Sequence, residues 1–104
     1  MKKLLFVLLL AFAGTGVFAQ VKPNSSGPVY ANGDSYGYYV DEQPGAISYD
    51  WSVQGNTNAT IYPAWDTAID IIFSNAGFED VICTVTTATT SYPLYAYVEV
   101  FAAP

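Results

Sequence analysis

Apolar residues recur in this chain at every second position, and that period decides what the chain can fold into. The clearest run is Ile47-Ser48-Tyr49-Asp50-Trp51-Ser52-Val53, where Ile47, Tyr49, Trp51 and Val53 fall on one face and Ser48, Asp50 and Ser52 on the other. A helix needs a period near 3.6 residues, whereas strict alternation marks a strand packed on one side and wet on the other. The same test selects Tyr36-Gly37-Tyr38-Tyr39-Val40, with Tyr36, Tyr38 and Val40 together, and Ala68-Ile69-Asp70-Ile71-Ile72-Phe73, with Ile69, Ile71 and Phe73 together. In Val81-Ile82-Cys83-Thr84-Val85-Thr86 the shared face is Val81, Cys83 and Val85. The run Leu94 to Phe101 puts Leu94, Ala96, Val98 and Val100 on one face and Tyr95, Tyr97, Glu99 and Phe101 on the other. Val29-Tyr30-Ala31 and Thr60-Ile61-Tyr62 are shorter strand candidates.

Turn-forming clusters separate these runs: Asn32-Gly33-Asp34, Gln43-Pro44-Gly45, Gln54-Gly55-Asn56, Ser74-Asn75-Ala76-Gly77 and Ser91-Tyr92-Pro93. No window carries an amphipathic helix of useful length. About seven short antiparallel strands on a chain of this size predict an all-β fold of two stacked sheets with a thin shared core. A small domain buries only about 60–65% of its unfolded surface, so large aromatics must supply much of the driving force. The expected core is Tyr49, Trp51, Val53, Ile69, Ile71, Phe73, Val81, Cys83, Val85, Val98 and Val100, with Trp51 at its centre.

The first 19 residues follow a different rule. Lys2-Lys3, the apolar run Leu4 to Ala13 and the small-residue stretch ending Val17-Phe18-Ala19 form the three regions of a secretory signal peptide, with cleavage expected before Gln20. The apolar run is too short to span a bilayer of about 30 Å. Residues 20–28 (QVKPNSSGP) lack periodicity and are expected to be a flexible leader, with the folded domain over 29–104. The expected location is therefore secreted, extracellular or periplasmic, without stable membrane insertion after cleavage. From Gln20 onward Lys22 is the one basic residue against nine acidic ones. Nucleic acid and anionic lipid need Lys/Arg patches to neutralise phosphate, so neither is an expected partner.

Several residues together carry a family resemblance. Tyr49-x-Trp51-x-Val53 followed by Gly55 resembles the third strand of PKD-like domains, the immunoglobulin-like sandwiches named after polycystin repeats. Ala68 to Phe73, then Gly77, then Val81-x-Cys83-x-Val85-Thr86, is similar to that family's fifth strand, turn glycine and sixth strand. Tyr38-x-Val40 before Pro44-Gly45 is similar to its second-strand region in secreted bacterial members. The resemblance spans residues 29–101. It implies an immunoglobulin-like antiparallel β-sandwich and a cell-surface adhesion module that contacts extracellular protein or polysaccharide. Many members place a corner-bonding Tyr two residues after the turn glycine; Glu79 stands there in this chain.

Catalytic chemistry finds little foothold. With no histidine, a His-based triad, an imidazole base and a His-ligated zinc are excluded. Asp66 with Asp70, and Glu79 with Asp80, are the nearest carboxylate groupings, but adjacent residues on a strand point to opposite faces. No loop has the Asp-x-Asp-x-Asp-Gly calcium spacing, which leaves only sites assembled from distant carboxylates. No enzyme activity, cofactor or metal is expected. Cys83, the lone cysteine, is read as a buried inert thiol, the alternative being an exposed thiol that cross-links two chains. Asn24-Ser25-Ser26 and Asn58-Ala59-Thr60 match the glycan acceptor pattern, and the resemblance to secreted bacterial members implies that both are incidental.

The candidate binding surface is the stripe Tyr95, Tyr97 and Phe101, with Trp65 as a second contact. Exposed rings stack on sugars or proteins at low entropic cost. The competing readings are that the tyrosines form ordinary cross-strand pairs and that Trp65 tucks over one end of the core. The alternative function is a structural subunit that self-associates edge to edge through Leu94–Phe101, a strand of high β-propensity with a single charge.

Overall fold

The computed structural model describes residues 20–103. The expected signal peptide lies outside the described residues. Eight strands follow in chain order: β1 (Lys22–Pro23), β2 (Val29–Ala31), β3 (Ser35–Tyr39), β4 (Ala46–Gly55), β5 (Thr60–Trp65), β6 (Ala68–Ile72), β7 (Gly77–Thr87) and β8 (Ser91–Ala102). They form two four-stranded sheets, ordered β1-β3-β6-β5 and β2-β8-β7-β4. No helix occurs among the described residues. The all-β, two-sheet expectation therefore holds.

Two expectations are corrected. Part of the segment expected as a leader is folded: Lys22–Pro23 pairs antiparallel with β3, Val21 is buried, and the Val21 N–H donates to the Tyr95 carbonyl at 3.2 Å. A single apolar residue among Pro, Ser and Gly has no periodicity to announce it. Pairing is also not wholly antiparallel, because β2 runs parallel to β8 with Val29 opposite Val100. The chain crosses from the first sheet to the second between β1 and β2, so it reaches β8 in the same direction as β8 itself.

The core is built where alternation placed it on β6, β7 and β8. Ile69, Ile71, Phe73, Val81, Cys83, Val85, Leu94, Val98 and Val100 are all buried, joined by Val21, Tyr38 and Val40. Burying an aliphatic or aromatic side chain of this size contributes about 1.5–3 kcal/mol, so this short list supplies most of the driving force.

Trp51 is not the centre. It faces inward opposite Cys83 but is only partly buried, as are Tyr49 and Val53, because β4 is the edge strand of its sheet and has a neighbour on one side only. The indole N–H donates to the Asp66 carbonyl at 2.9 Å, in the turn between β5 and β6. An indole must place its N–H against an acceptor, and the rim of the core offers one. The largest fully buried ring is instead Tyr38, while Phe73, also buried, lies against Tyr36 with centroids 6.1 Å apart.

Ile47 departs from its expected face. A bulge between Ala46 and Ser48 breaks the pleat, so Ala46 turns inward and Ile47 is 69% exposed.

Burial makes the core sensitive to alkali. It pushes the Tyr38 phenol up from 10.0 to about 12, with Tyr36 adding to the effect, and the Cys83 thiol up from 9.0 to about 11, with Asp50 adding. Both are acids held neutral in the folded state, so above their ordinary values the unfolded chain releases the proton first. Their stabilisation is complete below about pH 9 and is lost as pH rises through about 11 for the thiol and about 12 for the phenol. The urea midpoint is therefore expected to fall between about pH 9 and about pH 12, less steeply in Tyr38→Phe. Equal midpoints at about pH 8 and about pH 11.5 would contradict this account.

Candidate binding surface

The outer face of the β2-β8-β7-β4 sheet follows from the burial of its inner face. With Leu94, Val98 and Val100 turned inward, Tyr95, Tyr97, Glu99 and Phe101 must turn outward, and all four are exposed. Cross-strand register sets Ile82 opposite Tyr95, Asp80 opposite Tyr97 and Phe78 opposite Glu99. The Phe78 ring reaches diagonally and stacks on Tyr97, with centroids 5.6 Å apart and planes within 13°. Tyr97 nevertheless remains 69% exposed. Farther along the strand, Tyr30 of β2 tilts against Phe101 at 6.2 Å. Tyr97 and Tyr30 thus pair with rings across strands, while Tyr95 and Tyr97 remain exposed. Phe78 was missed in the sequence because only the β7–β8 register brings it to the stripe.

Trp65 does not join this surface. It ends β5, the edge strand of the other sheet, and is 77% exposed rather than folded over the core.

Beside β8 lies a groove of about 220 Å³. On one side it is lined by Pro23 and the connection Ser25–Pro28, and on the other by Ala96–Glu99 and Phe101. It exists because β2 is three residues long and pairs only with the last residues of β8, so the connection passes β8 without bonding along it as a strand. A second, more open hollow of about 450 Å³ lies between Glu42–Ile47, Tyr49 and Asp66. Its Gln43 is held from within by the Tyr49 and Tyr92 hydroxyls at 2.9 and 3.1 Å.

Phe78 is fixed by a polar clasp at one end of the domain. Glu79 and Thr57 are 3% and 0% exposed. The Glu79 Oε1 accepts from the Thr57 N–H at 3.2 Å and from its hydroxyl at 2.5 Å, while the Thr57 carbonyl accepts from the N–H groups of Ser74 and Asn75. Asn56 brackets Phe78, donating its N–H to the Phe78 carbonyl and accepting the Phe78 N–H on Oδ1 at 3.0 Å. Glycine is required on both sides. A Cβ at Gly55 would fall on the Phe78 carbonyl oxygen, and one at Gly77, where φ is 152°, would fall on Asn56 Oδ1. The sequence carried a signal for this: alternation extended back from Val81 puts Glu79 on the inner face.

Glu79 is committed to the clasp, Asp80 points to the opposite face, and Asp66 lies in an exposed turn while Asp70 sits on β6. No three Asp, Glu or Cys side chains converge as a metal site among the described residues. Cys83 is fully buried, and burial raises its thiol to about 11, which removes it from cross-linking chemistry in the folded state. No helix of the described residues is long and apolar enough to cross a membrane.

Thr57→Ala is expected to lower the unfolding free energy by about 1–3 kcal/mol, and Glu79→Ala by more, because it leaves the N–H and hydroxyl of Thr57 without an acceptor. Urea denaturation measures both, and changes below about 0.5 kcal/mol would mean that the clasp does not hold this end of the domain.

Set against known proteins, the chain matches no family model, and no curated protein matches it significantly.

Proposed function

We propose that the chain is a secreted, non-catalytic binding module of PKD-like, immunoglobulin-like type that contacts extracellular protein or carbohydrate through the outer face of β8. The observation that carries this reading is Tyr97, a ring stacked on Phe78 and still 69% exposed, mounted on a long strand paired along its length with β7 rather than on a loop. Such a platform is rigid before it meets a ligand, which limits the entropy lost on binding.

Strand order supports the fold assignment. An immunoglobulin-like sandwich of the constant type sets its first, second, fifth and fourth strands in one sheet and its third, sixth and seventh in the other. Taking β1 and β2 as one first strand divided between the sheets, β1-β3-β6-β5 and β8-β7-β4 follow that order. The Glu79–Thr57 clasp stands where the family resemblance expects a corner hydrogen bond, made here by a carboxylate in place of a tyrosine. The sequence of residues 1–19 supports export.

A screen of the exported protein against glycans and extracellular proteins tests the reading. Tyr97→Ala is expected to weaken capture on the order of tenfold while lowering stability by no more than about 0.5–1.5 kcal/mol, the contribution of the lost Phe78 stack. Capture unchanged by that substitution would remove the stripe.

Self-association through β8 finds less support. β2 pairs with residues 100–102, Val21 takes the Tyr95 carbonyl, and the connection Ser25–Pro28 faces Ala96–Glu99 across the groove, so β8 is not a bare edge. Sedimentation at micromolar concentration is expected to give a monomer; oligomers that grow with concentration would reverse the preference.

A further inference from the structure

The groove beside β8 has the size and chemistry for one basic side chain. Its volume, about 220 Å³, falls below the roughly 300–1,000 Å³ of small-molecule sites. That is room for a single long side chain rather than for a whole ligand. Tyr97 and Phe101 line it, Val98 and the buried Tyr38 supply apolar lining, and Glu99 is its one charged residue.

Nothing in the described chain answers that charge. Lys22 is the one basic residue among them, and it is already paired with Asp41 at 2.8 Å. Glu99 makes no ion pair among the described residues. Asp80, opposite Tyr97 on β7, adds a second carboxylate to the same outer face. Aromatic faces beside an uncompensated carboxylate recognise a cation twice over. The ring quadrupole attracts the charged head, the carboxylate pairs with its N–H donors, and an apolar wall accommodates the methylene stem.

We propose that this groove receives a lysine or arginine side chain from an extended basic segment of a partner protein. The head lies against Tyr97 and Phe101 and pairs with Glu99, and the stem runs over Val98. This rests on the reading of the β8 face as a contact surface and names the chemistry of what it contacts. A neutral glycan would stack on the same rings but would leave Glu99 without a role.

The test uses the protein purified from expression of the whole chain, titrated with a capped Lys-Gly-Lys-Gly-Lys-Gly peptide and with the same peptide carrying acetyl-lysine throughout. Calorimetry gives the affinity, and amide chemical shifts locate the site. The basic peptide is expected to move the amides of Val29, Tyr97 and Glu99 while its acetylated form does not. Glu99→Gln and Tyr97→Ala are each expected to weaken binding about fivefold. Asp66→Asn, which removes the same charge in the β5–β6 turn, is expected to leave binding unchanged.

Equal weakening by Asp66→Asn and Glu99→Gln would reduce the effect to diffuse attraction by an acidic protein and overturn the proposal. So would equal binding of the acetylated peptide, or shifts confined to other residues. If the basic peptide fails while Tyr97-dependent capture of a glycan or an uncharged protein segment persists, the cation site is lost and the contact surface stands.

Discussion

Parity along β7 and β8 governs both the inside and the outside of this protein. Val81, Cys83 and Val85 have no exposed surface, and each is one residue away from a side chain that the pleat must send outward. A slip of β7 by one residue would bury Asp80, Ile82 and Thr84 in place of an aliphatic row and expose that row to water. At about 1.5–3 kcal/mol for each large apolar side chain moved, the loss would consume most of the stability of a domain this small. The register of β8 on β7 is pinned by the same apolar contacts, from Cys83 against Leu94 to Gly77 against Val100. The position of Tyr97 over Phe78 is a consequence of that core, and no separate device is needed to create the surface.

The clasp answers a problem that apolar packing cannot solve. Where β4 ends and β5 begins, the chain leaves one sheet for the other, and the backbone groups of Thr57 lose their ladder partners at a depth water does not reach. Unpaired, each would cost on the order of 1–3 kcal/mol. The Glu79 carboxylate, carried inward by the parity that buries Val81, accepts both donors of Thr57, and the turn before β7 donates to its carbonyl. Three chain segments are joined at one residue with no buried side-chain polar atom left without a partner. The same bonds fix the backbone of Phe78, so the packing of the interior reaches the stacked pair on the surface through Asn56.

How much of this was legible in the sequence depended on whether a residue's environment was set by its own strand or by a neighbour. Ile69, Ile71 and Phe73, or Val81, Cys83 and Val85, announce their burial because period-two patterning is a property of one strand. Trp51 does not, since its half-burial comes from the place of β4 at a sheet edge, which only the strand order reveals. Ile47 was misassigned because a bulge adds a residue without changing composition. Val21 was passed over because a two-residue strand is shorter than any period. Phe78 and the groove depend on register and on the shortness of β2, both of which are relations between strands. The stripe Tyr95, Tyr97 and Phe101 was visible from one strand alone, and the stacking of Tyr97 on Phe78 was not.

Charge then bears on which kinds of partner this surface can accept. The described residues carry nine Asp and Glu carboxylates and one Lys ammonium, which is held by Asp41 and lies over the Tyr39 ring. Two copies approaching β8 to β8 would bring together two faces that each carry Glu99 and Asp80, and charges of one sign repel. The hydrogen bonds along the free side of β8 would favour such an encounter, but the connection Ser25–Pro28 stands in the way of a continuous ladder. A basic segment meets neither obstacle: it needs no long ladder, and the field that repels a second copy draws it in. The shortness of β2 and the acidity of the face therefore act in the same direction, against self-pairing and toward a partner of opposite charge.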